Sequence, residues 1–377
     1  MVPPQPDAPV AADPATTSND DLRVEACGPA DRAEQARLFN ACFKKEADGA
    51  QLAWRYDECP HGASISYVSR PPVGDAICGY ACNPRTVLHR GDESTACTIG
   101  ETGDVMTHPD WRKRGIFSGL DAATMAATGE HGWIGVFGLP NRRSAHIFTK
   151  IGWDQVGTIR PWSFVLRADA RAKAERHREG RLQALGLPWF ARRCRAGERA
   201  LNSGASGEAR PLTTFPEEVA DLSRRVEADF DWMVRRDAAY LNWRFLRNPS
   251  GLHRALGIYG DDGSFRGYCV IQLPRPGSAV GYLVDVLAPE PDALDRALLA
   301  GLEALREAGA SIAQSTAIDG SWWSAQLQRA GFLPPKPDNH LIVIFYTHQS
   351  GHPVATAGLD ASRWYLTDGD RDDETMG

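Results

Sequence analysis

The sequence lacks any long apolar run, although 42% of its 377 residues are hydrophobic. A membrane-spanning helix needs about 20 consecutive apolar residues, and no stretch of this chain approaches that length. The first residues, Met1–Pro6, contain neither a basic cluster nor an apolar core, so we expect no secretory signal peptide there. These absences argue against a membrane-spanning or secreted protein.

Metal-binding and disulfide-forming patterns of cysteine are also missing. The eight cysteines contain no Cys-x-x-Cys pair, and no histidine accompanies them at the spacing of a zinc site. We therefore predict no metal site, and we interpret the cysteines as reduced, mostly buried thiols of a cytoplasmic protein. They are Cys27, Cys42, Cys59, Cys78, Cys82, Cys97, Cys194 and Cys269.

An excess of basic residues is absent as well. Lys and Arg number 42 against 48 Asp and Glu, which gives a formal net charge of -6. Proteins that bind nucleic acid through their overall charge are basic, so we expect no nucleic-acid partner. The composition is otherwise that of an ordinary globular protein, and the length predicts two domains.

The most informative segment that is present is a basic turn containing glycine, Arg112–Gly115. It follows an apolar stretch that ends near Met106, and it precedes the segment Ile116–Ala127, which we predict to be a helix. The first amides of a helix have no intrahelical partners, and the helix dipole adds positive charge there. The turn is therefore predicted to bind an anion such as a pyrophosphate.

A second motif follows the first at a short distance. Trp133–Gly138 is predicted to be a strand, and a helix is predicted over about 142–151. Within this segment Asn141, Ser144 and Phe148 stand at the spacing of a second motif, and Gly152-Trp153 ends the helix. The order of strand, basic turn, helix, strand and second helix is what gives the two motifs their combined specificity.

Together the two motifs resemble the GCN5-related N-acetyltransferase (GNAT) superfamily. Arg112-x-x-Gly115 matches the acyl-CoA pyrophosphate loop of that superfamily, whose pattern is Arg or Gln, two residues, Gly, one residue, then Gly or Ala. Phe117 departs from the final small residue of this pattern, and Phe148 stands where the family usually has tyrosine. The resemblance implies direct attack of an amine on the thioester, without an acyl-enzyme, so no nucleophilic cysteine or serine is expected.

The resemblance also implies a fold and a co-substrate. We expect an α/β (α+β) protein with two tandem GNAT-like domains, each a mixed, mostly antiparallel twisted sheet flanked by helices. The co-substrate would be acetyl-CoA or another short acyl-CoA. The residues implied to bind it are Val105, Met106, Arg112, Lys113, Arg114, Gly115, Ile116, Phe117, Ser118, Asn141, Ser144 and Phe148.

Two carboxylates, Glu101 and Asp104, are candidates for the catalytic base that takes a proton from the amine. Both precede the basic turn on a predicted strand, Ala96–Met106. Residues three apart on a strand point to opposite faces, so both face the thioester only if a bulge intervenes. Gly103 between them favours such a bulge. Either carboxylate is alternatively a solvent-facing strand residue.

The carboxyl-terminal half repeats the element pattern of the first. Trp54-Arg55-Tyr56 recurs as Trp243-Arg244-Phe245, and after each come strands, an apolar segment, a helix and another strand. The basic turn is replaced in the second half by Ala288–Asp292, whose acids compete with a phosphate at a helix N-terminus. The second half is therefore predicted to be degenerate for acyl-CoA.

The repeated Trp-Arg-aromatic segment has two interpretations. Trp54, Arg55, Tyr56 and Arg244 could bind an acceptor sugar by stacking and charge. Alternatively, the segment is a repeated core tryptophan accompanied by a structural arginine, and the duplication favours this second interpretation.

The composition also predicts where the chain divides. We expect a disordered tail over 1–20, a first domain over 21–166, a basic helical linker over 167–209, a degenerate second domain over 210–348 and a polar, acidic tail over 349–377. The linker is either a solvated connection between the domains or a patch that touches an anionic membrane surface or a glycan, since basic residues flank Trp189-Phe190.

The predicted function is transfer of an acyl group, most simply acetyl, from CoA to the amine of a small molecule such as an amino sugar or amino acid. Two alternatives remain open. The chain could be a non-catalytic acyl-CoA-binding or regulatory module, or an aminoacyl-tRNA-dependent transferase of the cell-wall type. The basic turn argues against the last, because such enzymes do not need CoA.

Overall fold

The computed structural model describes residues 13–14, 16–43, 46–140, 144–179, 181–334 and 340–371. The elements of the first half follow the predicted order. They are β1 (Arg23–Ala26), α1 (Arg32–Cys42), α2 (Gly49–Asp57), β2 (Ile65–Arg70), β3 (Cys78–His89), β4 (Asp92–Thr107), α3 (Ile116–Glu130), β5 (Gly135–Gly138), α4 (Ala145–Lys150) and β6 (Asp154–Val165).

The rest of the chain begins with three helices and then repeats this order. Its elements are α5 (Ala170–Glu179), α6 (Arg181–Leu185), α7 (Leu187–Gly204), β7 (Glu208–Leu212), α8 (Val219–Glu227), β8 (Trp232–Val234), α9 (Ala238–Leu241), β9 (His253–Tyr259), β10 (Phe265–Gln272), β11 (Val280–Leu287), α10 (Pro291–Glu307), β12 (Ile312–Ile318), α11 (Trp322–Arg329), β13 (Leu341–Thr347), α12 (Pro353–Ala357) and β14 (Trp364–Tyr365).

Both halves contribute to one continuous sheet. The strand order is β1-β2-β3-β4-β5-β13-β6-β12-β11-β10-β9-β7, with β8 and β14 attached beside β3. The pairs β4–β5 and β11–β12 are parallel, whereas the other neighbours along this order are antiparallel. The predicted fold class, a mixed and mostly antiparallel sheet flanked by helices, is confirmed.

The sheet continues across the predicted division of the chain at 166 and 210. Strand β13, from the second half, lies between β5 and β6 of the first half. Strand β6 in turn pairs with β12. The halves therefore exchange strands, because each would otherwise present an unpaired strand edge where the sheet now continues.

The repeat is visible in the local structure of equivalent helices. The carboxylate of Asp48 caps α2 by accepting from the backbone N–H of Gln51 at 2.8 Å. Asp237 caps α9 in the same way through the N–H of Tyr240, also at 2.8 Å. An aspartate at this position satisfies an amide that the helix leaves unpaired. The duplicated sequence thus starts the duplicated helix by the same mechanism.

The segment predicted to be a linker is packed on one side. Helix α7 buries Ala191, Cys194 and Leu201 against the core that also contains α10. Its other side is exposed and basic. The prediction of a solvated connection is therefore wrong for the inner face, because its apolar residues recur at helical spacing and pack against α10 and β6.

The two predicted tails also differ from expectation. In the carboxyl-terminal segment, Trp364–Asp370 is buried. Its acids can be buried because each is paired: Asp370 contacts Arg236 at 2.8 Å, and Asp368 accepts from the backbone N–H of Thr316 at 2.7 Å. At the other end, residues 16–21 form turns and a short helix on the protein surface, while 1–12 and 15 lie outside the described residues.

Candidate acyl-CoA site

The candidate site begins where two parallel strands separate. Strand β4 pairs with β5 from Ile99, opposite Gly135, to Thr102, opposite Gly138. Beyond this point β5 ends, while β4 continues to Thr107. Among the described residues, the continuing part of β4 therefore has no partner strand on this edge, which an extended ligand can use as a strand would.

A bulge lies on β4 directly after the point of separation. Gly103 is opposite Ala81 and Met106 is opposite Gly79, so Asp104 and Val105 together face a single residue of β3. Asp104 has a φ of 49°, in the left-handed region that an aspartate adopts more readily than most residues. The predicted bulge is confirmed, and it changes the direction of the side chains that follow.

Asp104 is held by two residues of the repeated segment. Arg55 donates from Nη1 to its Oδ2 at 2.7 Å, and the Tyr56 hydroxyl donates to the same oxygen. The Arg55 and Asp104 side chains are only 4% and 6% exposed. The structure thus joins a predicted catalytic residue to two predicted substrate-binding residues, which the sequence had placed on separate elements.

Glu101 forms a second buried ion pair, with Arg85 of β3. Arg85 is not among the site residues predicted from the sequence. The signal that reveals it is a lone arginine inside the largely buried strand β3, because a buried guanidinium needs a carboxylate partner. The burial of Glu101 excludes the alternative that it is a solvent-facing strand residue.

The basic turn has a backbone suited to an anion. Lys113 and Gly115 both have positive φ, 65° and 76°, and Gly115 is the residue that precedes α3. A Cβ on Gly115 would meet no atom within 4 Å, so backbone conformation and not crowding favours glycine there. The N-terminus of α3 is predicted to direct its unpaired amides toward this turn.

The arginines of the turn already contact backbone carbonyls. Arg112 donates to the carbonyl of Thr107 at 3.1 Å, and Arg114 donates to that of Pro14 at 2.6 Å and also to that of Thr17. The side-chain amide of Asn19 donates to the carbonyl of Arg114 at 2.6 Å. The amino-terminal segment therefore lies across the turn, a contact that no motif in the sequence indicated.

The two departures from the family pattern pack against each other. The rings of Phe117 and Phe148 are 5.3 Å apart at an interplanar angle of 74°, and Phe148 is 1% exposed. Phe117 also meets Tyr80 edge to face at 5.4 Å. The aromatic ring at 148 is thus part of a packed cluster, and it carries no proton for a leaving thiolate.

The other predicted binding residues lie around the same region. Val105 is half-buried on β4, and Met106 is buried against Leu38 of α1 on the opposite face of the sheet. Ser144 precedes α4, and its carbonyl accepts from the N–H of Ile147 at 2.9 Å. Asn141 lies outside the described residues.

Ser118 lines a cavity of about 330 Å³ beside α3. Ile116 precedes it in the first turn of the helix and is buried. The opposite wall of the cavity includes Tyr346 and His348. Tyr346 belongs to β13 and His348 follows it, so the second half completes the surroundings of the first-half helix.

Trp54 and Arg244 are both buried, Trp54 in a contact between the halves and Arg244 in a contact within the second half. Trp54 stacks on Trp243 with ring centroids 5.0 Å apart, and Arg244 donates to the carbonyl of Gly369 at 2.7 Å. These contacts agree with the structural interpretation of the repeated segment. For either side chain to bind an acceptor sugar, the contact that buries that side chain would have to open.

A buried polar cluster lies between α3 and the strands. In the described part of the chain, the hydroxyls of Tyr80 and Thr102 and one carboxylate oxygen of Asp121 have no hydrogen-bond partner. The other Asp121 oxygen accepts from Nε1 of Trp153 at 3.3 Å. Burial raises the pKa of Asp121 to about 6, against the hydrogen bond from Trp153 and the nearby Tyr80 hydroxyl, which lower it.

This shift predicts a dependence of stability on pH. Because the pKa of Asp121 is higher in the folded protein, the folded state binds more protons than the unfolded state. The contribution of Asp121 to stability therefore falls as the pH rises from about 4 to about 6. Two pKa units correspond to about 3 kcal/mol. Replacing Asp121 by asparagine is therefore expected to raise the free energy of unfolding, relative to the unmodified protein, by about 2 kcal/mol more at pH 8 than at pH 4, where the unfolded carboxyl is already partly ionised.

Urea denaturation at several pH values measures this difference. Asp110→Asn, at an exposed position near the basic turn, controls for the loss of one negative charge. A difference between Asp121→Asn and the unmodified protein that stays constant from pH 4 to pH 8 would show that burial does not perturb this carboxyl.

The equivalent strand separation in the second half is filled by the chain itself. Strands β11 and β12 pair only from Val280 to Tyr282 on β11. Beyond that point Asp368 accepts from the N–H of Thr316 on β12, and Thr367 donates to the carboxylate of Asp285 on β11 at 2.8 Å. The loss of the basic turn in this half is therefore accompanied by an occupied cleft.

Comparison with solved structures identifies the fold. A conserved protein from Enterococcus faecalis, described as a probable N-acyltransferase, matches 87% of this chain and 72% of its own with a TM-score of 0.60 at 12% identity. A tandem GNAT protein from the clavulanic acid biosynthesis pathway matches 87% of this chain and 98% of its own, with a TM-score of 0.54 at 14% identity. The chain has the GNAT fold in tandem.

A third solved structure has a similar fold and contains bound myristoyl-CoA. N-myristoyltransferase from Saccharomyces cerevisiae, solved with myristoyl-CoA, matches 91% of this chain and 85% of its own with a TM-score of 0.56 at 12% identity. No protein-family profile and no curated protein sequence matches the chain. These identities are low enough that the likeness concerns the GNAT fold alone.

The remaining structural observations concern cysteines, metals and membranes. All eight cysteines are free thiols, and five of them are buried, as predicted. Among the described residues, no group of three or more His, Cys, Asp or Glu side chains could hold a metal ion. No helix within the described ranges has both the length and the apolar character to cross a membrane.

Proposed function

We propose that this protein is an acyl-CoA-dependent N-acyltransferase whose acyl donor binds in the first half of the chain. One observation carries the proposal: the β4–β5 pair opens after Thr102 and Gly138, and the basic turn Arg112–Gly115 follows the open strand. An open strand edge suits the extended pantetheine arm, and a helix N-terminus with a basic turn suits the pyrophosphate.

The donor is proposed to be acetyl-CoA or another short acyl-CoA. The strands close tightly where the acyl group would end: a Cβ added at Gly138 would lie 2.3 Å from the Thr102 methyl group. This close approach favours a small acyl group. The neighbour from the clavulanic acid pathway was solved without acetyl-CoA, and the yeast neighbour binds myristoyl-CoA, so the fold itself does not fix the length of the acyl chain.

The acceptor is proposed to be the amine of a small molecule, such as an amino sugar or an amino acid. Asp104 is the better placed catalytic residue, because it lies in the bulge directly after the strands separate. Its Oδ2 is used by Arg55 and Tyr56, which hold the carboxylate in place. Glu101 lies earlier on β4, in the buried pair with Arg85, and is proposed as a positioning residue.

The first test is whether acyl-CoA stabilises the purified protein against heat. A ligand at 100 times its dissociation constant stabilises by about 2.7 kcal/mol, which raises the melting temperature by a few degrees. We expect this shift with acetyl-CoA and with CoA. We expect Arg112→Ala combined with Arg114→Ala to abolish it, because both positive charges beside the pyrophosphate are lost.

Arg254→Ala, an exposed arginine in the second half that contacts only local carbonyls, is the matched control and should leave the shift unchanged. The absence of a shift with CoA and with acetyl-, butyryl- and longer acyl-CoA would contradict the proposal. A shift that survives the double substitution would place the donor elsewhere.

A second candidate function is a non-catalytic acyl-CoA-binding module. The observation in its favour is that Phe148 is buried without a hydroxyl and both predicted carboxylates are paired with arginines. Release of the CoA thiol in the presence of a panel of amines distinguishes the two functions. The transferase is supported if CoA thiol is released and Asp104→Asn reduces this release while the shift in melting temperature persists. The module is supported if acyl-CoA binds but no amine in the panel causes thiol release.

A further inference from the structure

The outer face of α7 is a basic surface that the candidate site does not use. Arg192, Arg193, Arg195 and Arg199 are all exposed there. In the described part of the chain, none of the four pairs with a carboxylate. The nearby acid Glu198 is turned inward and pairs with Arg306 at 2.8 Å. These four arginines, together with Trp189, are referred to as the α7 basic face.

Large apolar side chains are exposed at the start of this face. Trp189 is 59% exposed and Leu185, just before the helix, is 66% exposed. Trp189 lies one turn before Arg192 and Arg193, and Arg199 lies two turns after Arg192, so they share one side of the helix. The other side carries the buried residues Ala191, Cys194 and Leu201, so the helix cannot rotate to hide the tryptophan.

We propose that the α7 basic face docks on the surface of a bilayer containing anionic lipid. Arginines near such a surface contribute about 1 kcal/mol each, and a tryptophan with an apolar body and a polar N–H is suited to the headgroup region. The combination of basic and apolar side chains favours a lipid surface over a nucleic acid. Contacts with phosphate would account for the arginines, but not for the exposed Leu185 and Trp189.

The charge of the remainder of the chain gives the docking a direction. The whole chain has a formal net charge of -6, so anionic lipid repels the molecule as a whole, whereas it attracts the α7 basic face. Attraction at one face and repulsion elsewhere orient the molecule at the surface. The site is on a different element from the basic turn, so this proposal does not depend on the proposed transferase activity.

The test is co-sedimentation of the full chain with vesicles of phosphatidylcholine alone and with vesicles that also contain phosphatidylglycerol. We expect binding only to the anionic vesicles, and weaker binding as salt is added. Arg192→Gln combined with Arg193→Gln should weaken binding about 30-fold, which is the loss of two contacts of about 1 kcal/mol each. Trp189→Ala should weaken it as well, without changing the net charge.

The matched control is Arg224→Gln combined with Arg225→Gln, two exposed neighbouring arginines on α8 that pair with carboxylates. It makes the same change in net charge and should leave vesicle binding unchanged. Three results would overturn the proposal: no binding to anionic vesicles, equal loss in the control pair, or vesicle binding that survives Trp189→Ala and is displaced by single-stranded RNA. The last would identify a general polyanion site instead.

Discussion

Replacing Arg236 by methionine is expected to lower the free energy of unfolding by about 3–5 kcal/mol. The Arg236 guanidinium is 1% exposed and lies between two carboxylates, contacting Asp285 at 3.1 Å and Asp370 at 2.8 Å. Both acids are also about 1% exposed, so removing the guanidinium leaves two buried negative charges close together. Urea denaturation followed by fluorescence measures the loss.

The neighbouring residue provides the control. Arg235 pairs with Glu93 at 2.7 Å, but the two side chains are 26% and 58% exposed. Arg235→Met should therefore cost less than about 1 kcal/mol. Adding Asp285→Leu and Asp370→Leu to Arg236→Met should recover stability, because the charges are then removed together. Equal costs for Arg235→Met and Arg236→Met would show that the buried pairs are not needed.

The cluster around Arg236 also bears on the role of the second half. Asp285 is on β11 and Asp370 is in the carboxyl-terminal segment, so Arg236 holds that segment against the separated ends of β11 and β12. The second half is then proposed to act as a support. It supplies β13 to the sheet of the first half, and Tyr346 to the wall of the cavity beside α3.

The second large effect is expected at the tryptophan pair that joins the halves. Trp54 donates from Nε1 to the carbonyl of Trp243 at 3.3 Å, and Trp243 donates to the carbonyl of Trp54 at 3.0 Å. Trp54→Ala and Trp243→Ala should each cost about 3–5 kcal/mol, because each opens a cavity in the core. The double substitution should cost less than the sum, by about 0.5–3 kcal/mol, because the two residues share one contact.

Trp189→Ala is the control for this pair, since removing the exposed tryptophan of α7 should change the unfolding free energy by less than about 0.5 kcal/mol.

The same denaturation curves test the exchange of strands between the two halves. A single transition in every variant is expected, because β6 and β13 tie the halves into one sheet. Strictly additive costs, or two separate transitions, would argue for independent halves.

Much of the local structure could be read from the sequence. The helix after the basic turn, the strand before it and the repeat in the second half all lie where the residue patterns predict them. Glycine between two carboxylates indicated the bulge on β4, and the structure has it at Asp104 and Val105. These features depend on neighbours in the chain, so a sequence contains the information directly.

The partners of the site residues could not be read in this way. Asp104 is held by Arg55 and Tyr56, which are about 50 residues earlier in the chain, with separations of 49 and 48. Glu101 meets Arg85 only because β3 and β4 pair in one register, in which Arg85 is opposite Ile99. The same local sequence is compatible with a solvent-facing carboxylate and with a carboxylate in a buried ion pair. Only the elements that pack around the strand decide between the two.

The sequence by itself therefore determined the order of elements, the duplication and the basic turn Arg112–Gly115, because periodicity and local backbone preference act over a few residues. Tertiary structure alone decided which strands pair across the halves, and it placed the acidic carboxyl-terminal segment inside the protein. A charged segment is predicted to be exposed unless its partners are known. Here the partners of Asp370 and Asp368, Arg236 and the N–H of Thr316, are distant in the chain and are brought together only by folding.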